Sequence, residues 1–483
     1  MSKMLIGGEE STARAMGELA VIDPASEETI ESVPAADPED VDQAVQAAAG
    51  AFKSWAHTDA EERASLMRQG LERVKAHRDD IVQTLVHEQG KPLHEASGEF
   101  SHFIHGMEYY ADLATKVRGA YQALPSALGT SYGQVIKRPV GVCAAIVPSN
   151  FPLTLLGTKI GPALAAGNTV VVKPAQTTPL SCLKVCSHLT EAAIPPGVLN
   201  VVTGSGSVIG EALVGHPDVR RVAFTGGTEN GRRVMEIAGP KFKRVSLELG
   251  GSDPVIVCGD ANIKKAVKGA LIARFWNAGQ SCLAGKRLYV LDDIYDDYLQ
   301  ALLAELERYE PGEGWEKAEK PKIRIGPLHT ETGRDEVLAQ LKDATDGGGR
   351  VIFGGGVPPD HERGYFLNPT VVEGAPTDSR LYTEEVFGPV LPVMRVKDLD
   401  EAISLANDSP FGLGSSIWTH DVRNIHRAAQ EIDAGMTWVN QIHYGYDELP
   451  FGGMKQSGLG KEHGPEALDD YFEAKSVVIG GLD

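Results

Sequence analysis

Cysteine is scarce, with five in 483 residues and no CxxC pair. That excludes a disulfide framework. Cations are also short: 46 lysines and arginines stand against 66 aspartates and glutamates, a formal net charge of −20. Such a balance argues against nucleic acid or an anionic membrane as the main partner. No run of about 18 apolar residues exists to span a bilayer. The opening stretch, MSKMLIGGEESTARAM, lacks a basic segment followed by an apolar one, so no signal peptide is read there. The histidines are scattered without HExxH or a comparable arrangement, and no metal is expected. His102, His105 and His463 read as surface residues of helices or loops. These absences describe a cytoplasmic protein in a reducing environment.

Glycine is abundant, at 54 residues, which suits many strand-to-helix turns and close backbone approach to a ligand. The length exceeds what one core usually serves, so two or three domains are expected. The first 30 residues read as short strands joined by turns. Helices follow from Asp37-Pro38 through Trp55, from Asp59 through His77, from Arg78 to Glu88 with Gly90 as the stop, and from Leu93 to Val117. Phe100, Phe103, Met107 and Tyr110 recur at helical spacing and read as packing. Cys182 and Cys186 share a helix face and read as buried. Cys143 and Cys258 lie in apolar strand-like runs and read as core.

Residues 120–139 alternate in part and read as an extended hairpin. Beyond them, GVCAAIVPSN, GNTVVVKPA, VLNVVTG, RRVAFTG and VSLELGG read as strands. Helices over Leu153–Ala166, Pro179–Ala193, Val208–Val214 and Glu229–Ile237 separate them. A second series follows Gly251. Its strands are PVIVCG, KRLYVLD, VIFGGG and LPVMRV. Its helices are Ile263–Trp276, Tyr295–Tyr309, Asp335–Ala344, Leu399–Asn407 and Asn424–Asp433. Apolar strands alternating with helices predict parallel sheets, and ligands bind such sheets beyond the carboxyl ends of their strands. Asn150, Lys173, Thr225 and Glu248 all fall at strand ends. PGEGWEKAEKPK and GGGVPPDHERG read as surface loops. The apolar terminal run, SVVIGG, needs a partner strand, expected from another subunit.

The stretch from Lys243 to Cys282 joins a carboxylate, Glu248, to a cysteine in a loop after a helix. A thiol with a nearby base outlines a covalent nucleophile. By itself, such a cysteine equally suits a small buried hydrophobe.

The motifs PSNFPL (148–153), KPAQTTP (173–179), FTGGTENG (224–231), LELGG (247–251), NAGQSC (277–282), EEVFGPV (384–390) and PFGGMKQSG (450–458) occur in this order. With them the chain resembles the aldehyde dehydrogenase superfamily over nearly its whole length. The resemblance implies an α/β architecture of three parts. An NAD(P)-binding domain takes 1–119, 140–249 and 457–469. A catalytic domain takes 250–456. A small β oligomerisation element takes 120–139 and 470–483. It also implies a homodimer or homotetramer acting on a small-molecule aldehyde, with NAD or NADP as cofactor.

The resemblance assigns roles residue by residue. Cys282 is the nucleophile that forms a thiohemiacetal and then a thioester. The Asn150 amide and the Cys282 backbone N–H receive the oxyanion. Glu248 activates the hydrolytic water, provided that partial burial lifts its pKa toward neutrality. Lys159 matches a family lysine near the cleft. Pro148, Ser149, Lys173, Ala175, Gln176, Phe224, Thr225, Gly226, Gly227, Thr228, Gly231 and Leu249 belong to the cofactor side. Gly226 and Gly231 let the backbone pass close to the pyrophosphate at a helix N-terminus. Gly206 and Gly210 lie in a turn flanking the adenine. Glu385 holds the nicotinamide ribose and Phe387 packs beside the ring.

Three departures from common forms of the motifs stand out. Ser149 stands where tryptophan is common. Gln176 replaces a glutamate common in NAD-specific relatives, and a neutral amide does not repel a 2′-phosphate, so dual NAD/NADP use is expected. Trp276 stands where succinic semialdehyde dehydrogenases carry an arginine. Arg274, two residues earlier, points elsewhere on the helix. Leu155, Thr158, Trp276, Ser281, Tyr444 and Phe451 are the expected substrate contacts, favouring an aromatic or medium-chain aliphatic aldehyde. His443, Tyr446, Asp447 and Glu448 fall near the substrate entrance, with the Asp-Glu pair read as solvated. Two other functions are weighed: a CoA-acylating semialdehyde dehydrogenase, which retention of Glu248 argues against, and a non-catalytic scaffold, which retention of Cys282, Asn150 and Glu248 argues against.

Overall fold

A computed structural model describes residues 2–125, 130–315 and 322–480. The first α/β unit has an eight-stranded sheet. Its centre runs Leu199–Val201, Thr169–Lys173, Val142–Ile146, Val219–Thr225 and Arg244–Glu248, all parallel. Short antiparallel strands flank it: Met4–Ile6 and Glu9–Ser11 on one side, Gly458–Leu459 on the other. The central strands are buried runs of valine, isoleucine and alanine because helices cover both faces. One face packs on the Leu93–Ala114 and Pro152–Ala166 helices, where Phe103, Met107, Tyr110, Cys143, Cys182 and Cys186 share one core. The aromatic stripe is therefore packing, as its spacing predicts.

The second unit has a seven-stranded sheet in the order Arg350–Phe353, Thr370–Glu373, Val390–Val396, Gly285–Leu291, Asp253–Val257, Gly414–Trp418 and Met436–Val439. Only the first of these pairs is antiparallel. The third unit is a small antiparallel sheet of Ala120–Leu124, Ser131–Pro139 and Phe472–Gly480.

Several local expectations change. The terminal strand finds its partner within the chain, pairing with Ser131–Pro139 along its whole length. Val208–Val214 is a π-helical turn over Gly206–Gly210 that continues as Glu211–Gly215. The Tyr295 helix ends at Leu306, because Tyr309 begins a short strand, Tyr309–Pro311. Thr370–Glu373, Gly414–Trp418 and Met436–Val439 are strands that the sequence reading missed; each is short, and the second opens Gly-Ser-Ser, which lacks a strand-like apolar run. Part of the PGEGWEKAEKPK loop, residues 316–321, lies outside the described residues.

Candidate active site

Phe275 ends a helix begun at Ile263, and the chain then turns left-handed. Asn277, Ala278 and Gly279 have φ of 53°, 54° and 76°. Non-glycine residues avoid that region unless their surroundings compensate. Here the Asn277 N–H donates to Glu95 at 2.9 Å, and its amide donates to the Asn150 carbonyl at 2.9 Å and the Gln280 carbonyl at 3.2 Å. Gln280 closes the turn by donating to the Asn277 and Pro327 carbonyls, and its own side-chain oxygen accepts from His329 N at 2.8 Å. Ser281 and then Cys282 follow.

The same hydrogen bonds fix Asn150. Its carbonyl accepts from buried Lys91 at 2.7 Å, and its amide donates to the Gln280 carbonyl at 3.2 Å. Lys91 is ion-paired with buried Glu99, which also accepts from Leu153 N at 2.8 Å. The segments carrying Asn150 and Cys282 are thus tied into one unit. Each amide nitrogen has two N–H groups, so Asn150 retains one for another acceptor.

Glu248 ends the Arg244–Glu248 strand, in register with Thr225 on its neighbour. It is 2% exposed, and neither carboxylate oxygen has a hydrogen-bond partner. Burial first, and then the charge of Glu462, raise its pKa well above the ordinary range; Lys159 and Lys461 oppose this. The burial is complete, where the sequence predicts only partial cover. Gly452 makes the room: a Cβ there would lie 2.6 Å from Glu248 Oε1. Lys159 reaches neither ligand cavity. It is buried, and donates to Thr225 Oγ1 at 2.7 Å and Glu462 at 2.6 Å. Glu462 also accepts from Thr158 at 2.8 Å. Sequence reading missed Glu462, whose only signal is distant in the chain from the partners it meets.

The Cys282 thiol is half-buried and borders two cavities. Burial pushes its pKa up to about 12, with Lys286 pulling the other way. Lys286 donates to the Ser281 carbonyl at 2.7 Å, the Cys282 carbonyl at 2.8 Å and Glu385 at 3.1 Å.

The larger cavity, about 640 Å³, is lined by Pro148, Ser149, Asn150, Lys173, Ala175, Gly206, Gly210, Phe224, Thr225, Gly226, Gly227, Glu248, Leu249, Glu385 and Phe387. It suits an extended anionic ligand. Lys173 is 4% exposed and donates to one carbonyl alone, that of Pro174 at 3.1 Å; burial lowers its pKa to about 8. The Thr228–Ala238 helix starts beside the cavity with no side-chain cap, and at Gly227 an added Cβ would meet only open space. Uncapped N–H groups at a helix start attract phosphate. Three expected contacts do not line this cavity. Gln176 is exposed to solvent, Thr228 lies inside the helix start, and Gly231 serves packing, since a Cβ there would strike Leu249 at 2.5 Å.

The smaller cavity, about 300 Å³, is lined by Leu155, Trp276, Ser281, Tyr444 and Phe451, with Phe151, Ile272, Leu283 and Ile442. Glu95, Glu99, His102 and His463, which the sequence reading did not place there, also line it, as does His443, expected near the entrance. No lysine or arginine lines it among the described residues. Thr158 does not line it, because its hydroxyl turns to Glu462. Arg274 is fully buried and donates to the carbonyls of Val386, Gly388 and Val390, away from the tunnel. Two surface readings are corrected: His463 is 3% exposed and Asp447 is 3% exposed, joined at 2.8 Å. His102 is half-buried, and His105 keeps an exposed ring.

The aldehyde dehydrogenase family pattern matches residues 11–477. A succinate-semialdehyde dehydrogenase (NADP(+)) of Escherichia coli, GabD, is 39% identical over 99% of this chain and 97% of its own length. A phenylacetaldehyde dehydrogenase of Pseudomonas fluorescens is 40% identical over 99% of this chain and 95% of its own. Among solved structures, an E. coli NADP-dependent enzyme superposes with a TM-score of 0.95 at 38% identity, covering 99% of this chain and 98% of that one. Betaine aldehyde dehydrogenase from Staphylococcus aureus in complex with NAD+ gives 0.94 at 33%, covering 99% and 94%. With a thiol bordering both a large cavity and an apolar tunnel, and with these likenesses over 99% of its length, the chain belongs to the aldehyde dehydrogenase family, NAD(P)-dependent oxidoreductases of three-part α/β architecture.

Proposed function

We propose that the enzyme oxidises an uncharged aldehyde, aromatic or of medium aliphatic length, to the carboxylic acid. The observation that carries this reading is the tunnel wall: Phe151, Leu155, Ile272, Trp276 and Phe451 line it, and no cation does among the described residues. A substrate with a distal carboxylate would lose its hydration there without gaining a partner. Two relatives bear on this point from opposite sides, one named for succinate semialdehyde and one for phenylacetaldehyde. Removal of Arg274 from the tunnel favours the second kind of substrate.

The chemistry assigned to the site is as follows. Cys282 sulfur attacks the carbonyl carbon, and its proton passes to Glu248. The free Asn150 amide hydrogen and the Cys282 N–H receive the oxyanion. NAD or NADP, bound along Lys173, Gly226, Gly227, Glu385 and Phe387, supplies the hydride acceptor. Loss of hydride from the thiohemiacetal carbon to that acceptor leaves the thioester, and Glu248 passes the thiol's proton to solvent; as a carboxylate it then takes a proton from water, whose oxygen attacks the thioester carbon, and it returns that proton to the Cys282 sulfur as the acid departs. Glu462 and Lys159 adjust the charge around Glu248. The five unpaired cysteines suit a reducing, cytoplasmic setting. The outer edge of the Phe472–Gly480 strand, with Val478 exposed, suits pairing in a homodimer or homotetramer.

A panel of phenylacetaldehyde, hexanal and succinic semialdehyde, each with NAD or NADP and with or without CoA, tests the proposal. Uncharged aldehydes should give the highest kcat/KM without CoA. A preference for succinic semialdehyde, or an absolute need for CoA, would sink it.

A further inference from the structure

Two residues of the tunnel wall, His102 and His463, belong to a cluster that this chemistry leaves unused. Asp447 Oδ2 accepts from His105 Nδ1 at 2.6 Å, and Oδ1 accepts from His463 Nδ1 at 2.8 Å. His102 Nε2 stands 3.6 Å from the same Oδ1, beyond hydrogen-bond range, and this buried nitrogen has no partner. One ligand atom from each of His102, Asp447 and His463 lies within 4.8 Å of the others. Donors about 2.0 Å from a tetrahedral zinc ion stand about 3.3 Å apart, between the 2.8 and 3.6 Å separations of the two histidine nitrogens from Asp447 Oδ1, while those two nitrogens lie within 4.8 Å of each other. We propose that His102, Asp447 and His463 bind one divalent cation of the zinc class, beside the aldehyde tunnel and apart from the thiol.

Three features support it. The His105 N–H fixes the second carboxylate oxygen, the outer support that metal-bound carboxylates ordinarily have. Gly106 leaves space for the carboxylate, since a Cβ there would lie 3.0 Å from Asp447 Oδ1. His463 adopts φ 55° and ψ 176°, backbone that is nearly glycine-only and that tends to persist at ligand clamps. On binding, His463 takes the tautomer with its proton on Nε2, so that Nδ1 turns from donor to ligand. His102 Nε2 and Asp447 Oδ1 supply two more bonds, and water fills the fourth position.

The ion would join three separate segments: the Leu93–Ala114 helix, the 440–450 loop and the start of the Gly464–Asp469 helix. His102 stacks on Tyr444 with ring centroids 5.1 Å apart, and His463 meets Phe451 edge-on at 5.6 Å. Metal binding therefore stiffens the tunnel mouth.

Cobalt(II) is the probe. In a Cys282→Ala protein, where the thiol cannot compete, one equivalent should bind and give the visible spectrum of a tetrahedral nitrogen-oxygen site. Adding His102→Ala should weaken binding by at least about 10- to 100-fold. His102→Gln serves as the second variant if alanine prevents folding. Absence of bound cobalt, a purely octahedral spectrum, binding that needs Cys282, or binding unchanged by loss of His102 would each overturn the proposal and leave a hydrogen-bonded cluster only.

Discussion

The two cavities that share Cys282 are built differently. The larger includes several glycines, a helix start and a buried lysine in its wall, so on the proposed reading backbone would carry much of the recognition. The smaller is walled by aromatic and branched side chains, with histidines and carboxyls set among them. Backbone recognition tolerates changes of side chain provided the glycines stay. Side-chain recognition changes with every substitution. The difference teaches why the cofactor is legible from motifs and the aldehyde is not.

The sharpest test acts where the cavities meet. Cys282→Ala should lower kcat by about 10⁴-fold or more, as loss of a nucleophile does, while calorimetry shows NAD binding intact. Loss of both would mean that the thiol supports the cofactor cavity. Glu248→Gln comes next, with steady-state turnover falling about 10²- to 10⁴-fold. Rapid mixing should still show the first equivalent of reduced cofactor, if Glu248 is needed chiefly for hydrolysis. In the wild type, the raised pKa of Glu248 keeps it protonated until the pH rises, so kcat should increase with pH; Glu248→Gln should flatten that profile.

Trp276→Arg places a cation at the tunnel wall. It should raise kcat/KM for succinic semialdehyde relative to phenylacetaldehyde by about 10- to 100-fold, the range of a hydrogen bond to a charged group, and leave the KM for NAD unchanged. An unchanged aldehyde ratio would show that Trp276 does not face the substrate. The smallest effect is expected for Gln176→Glu. Because Gln176 is exposed and outside the cavity wall, the NADP-to-NAD ratio of kcat/KM should fall only about 2- to 5-fold, as for an exposed charge. No change would assign cofactor choice elsewhere.

Much of the parallel-sheet framework is legible because buried parallel strands write themselves as unbroken apolar runs, as in TVVVK and VCAAI. Gly414–Trp418 is not, because it lies at the sheet's interior with serines at its start. Cys282, Glu248 and the cofactor glycines sit in contiguous motifs, and the structure brings them around one cavity. Glu462 and Asp447 could not be read this way. Their burial depends on Lys159, Thr158, His102 and His105, which come from helices some three hundred residues away. Gln176 sits in the KPAQTTP motif but is exposed to solvent and outside the residues that line the cavity.

The left-handed turn at Asn277, Ala278 and Gly279 has a consequence for assembly. Each non-glycine residue in that conformation costs about 1–2 kcal/mol, and the compensating bonds come from Asn150, Glu95 and Pro327, all far off in sequence. The turn has no local reason to form early. Recovery of activity during refolding should therefore lag behind recovery of helix. On the proposed mechanism, the thiol should reach its working position only after the segments around it have packed, so that a half-made chain would carry a cysteine but no catalyst.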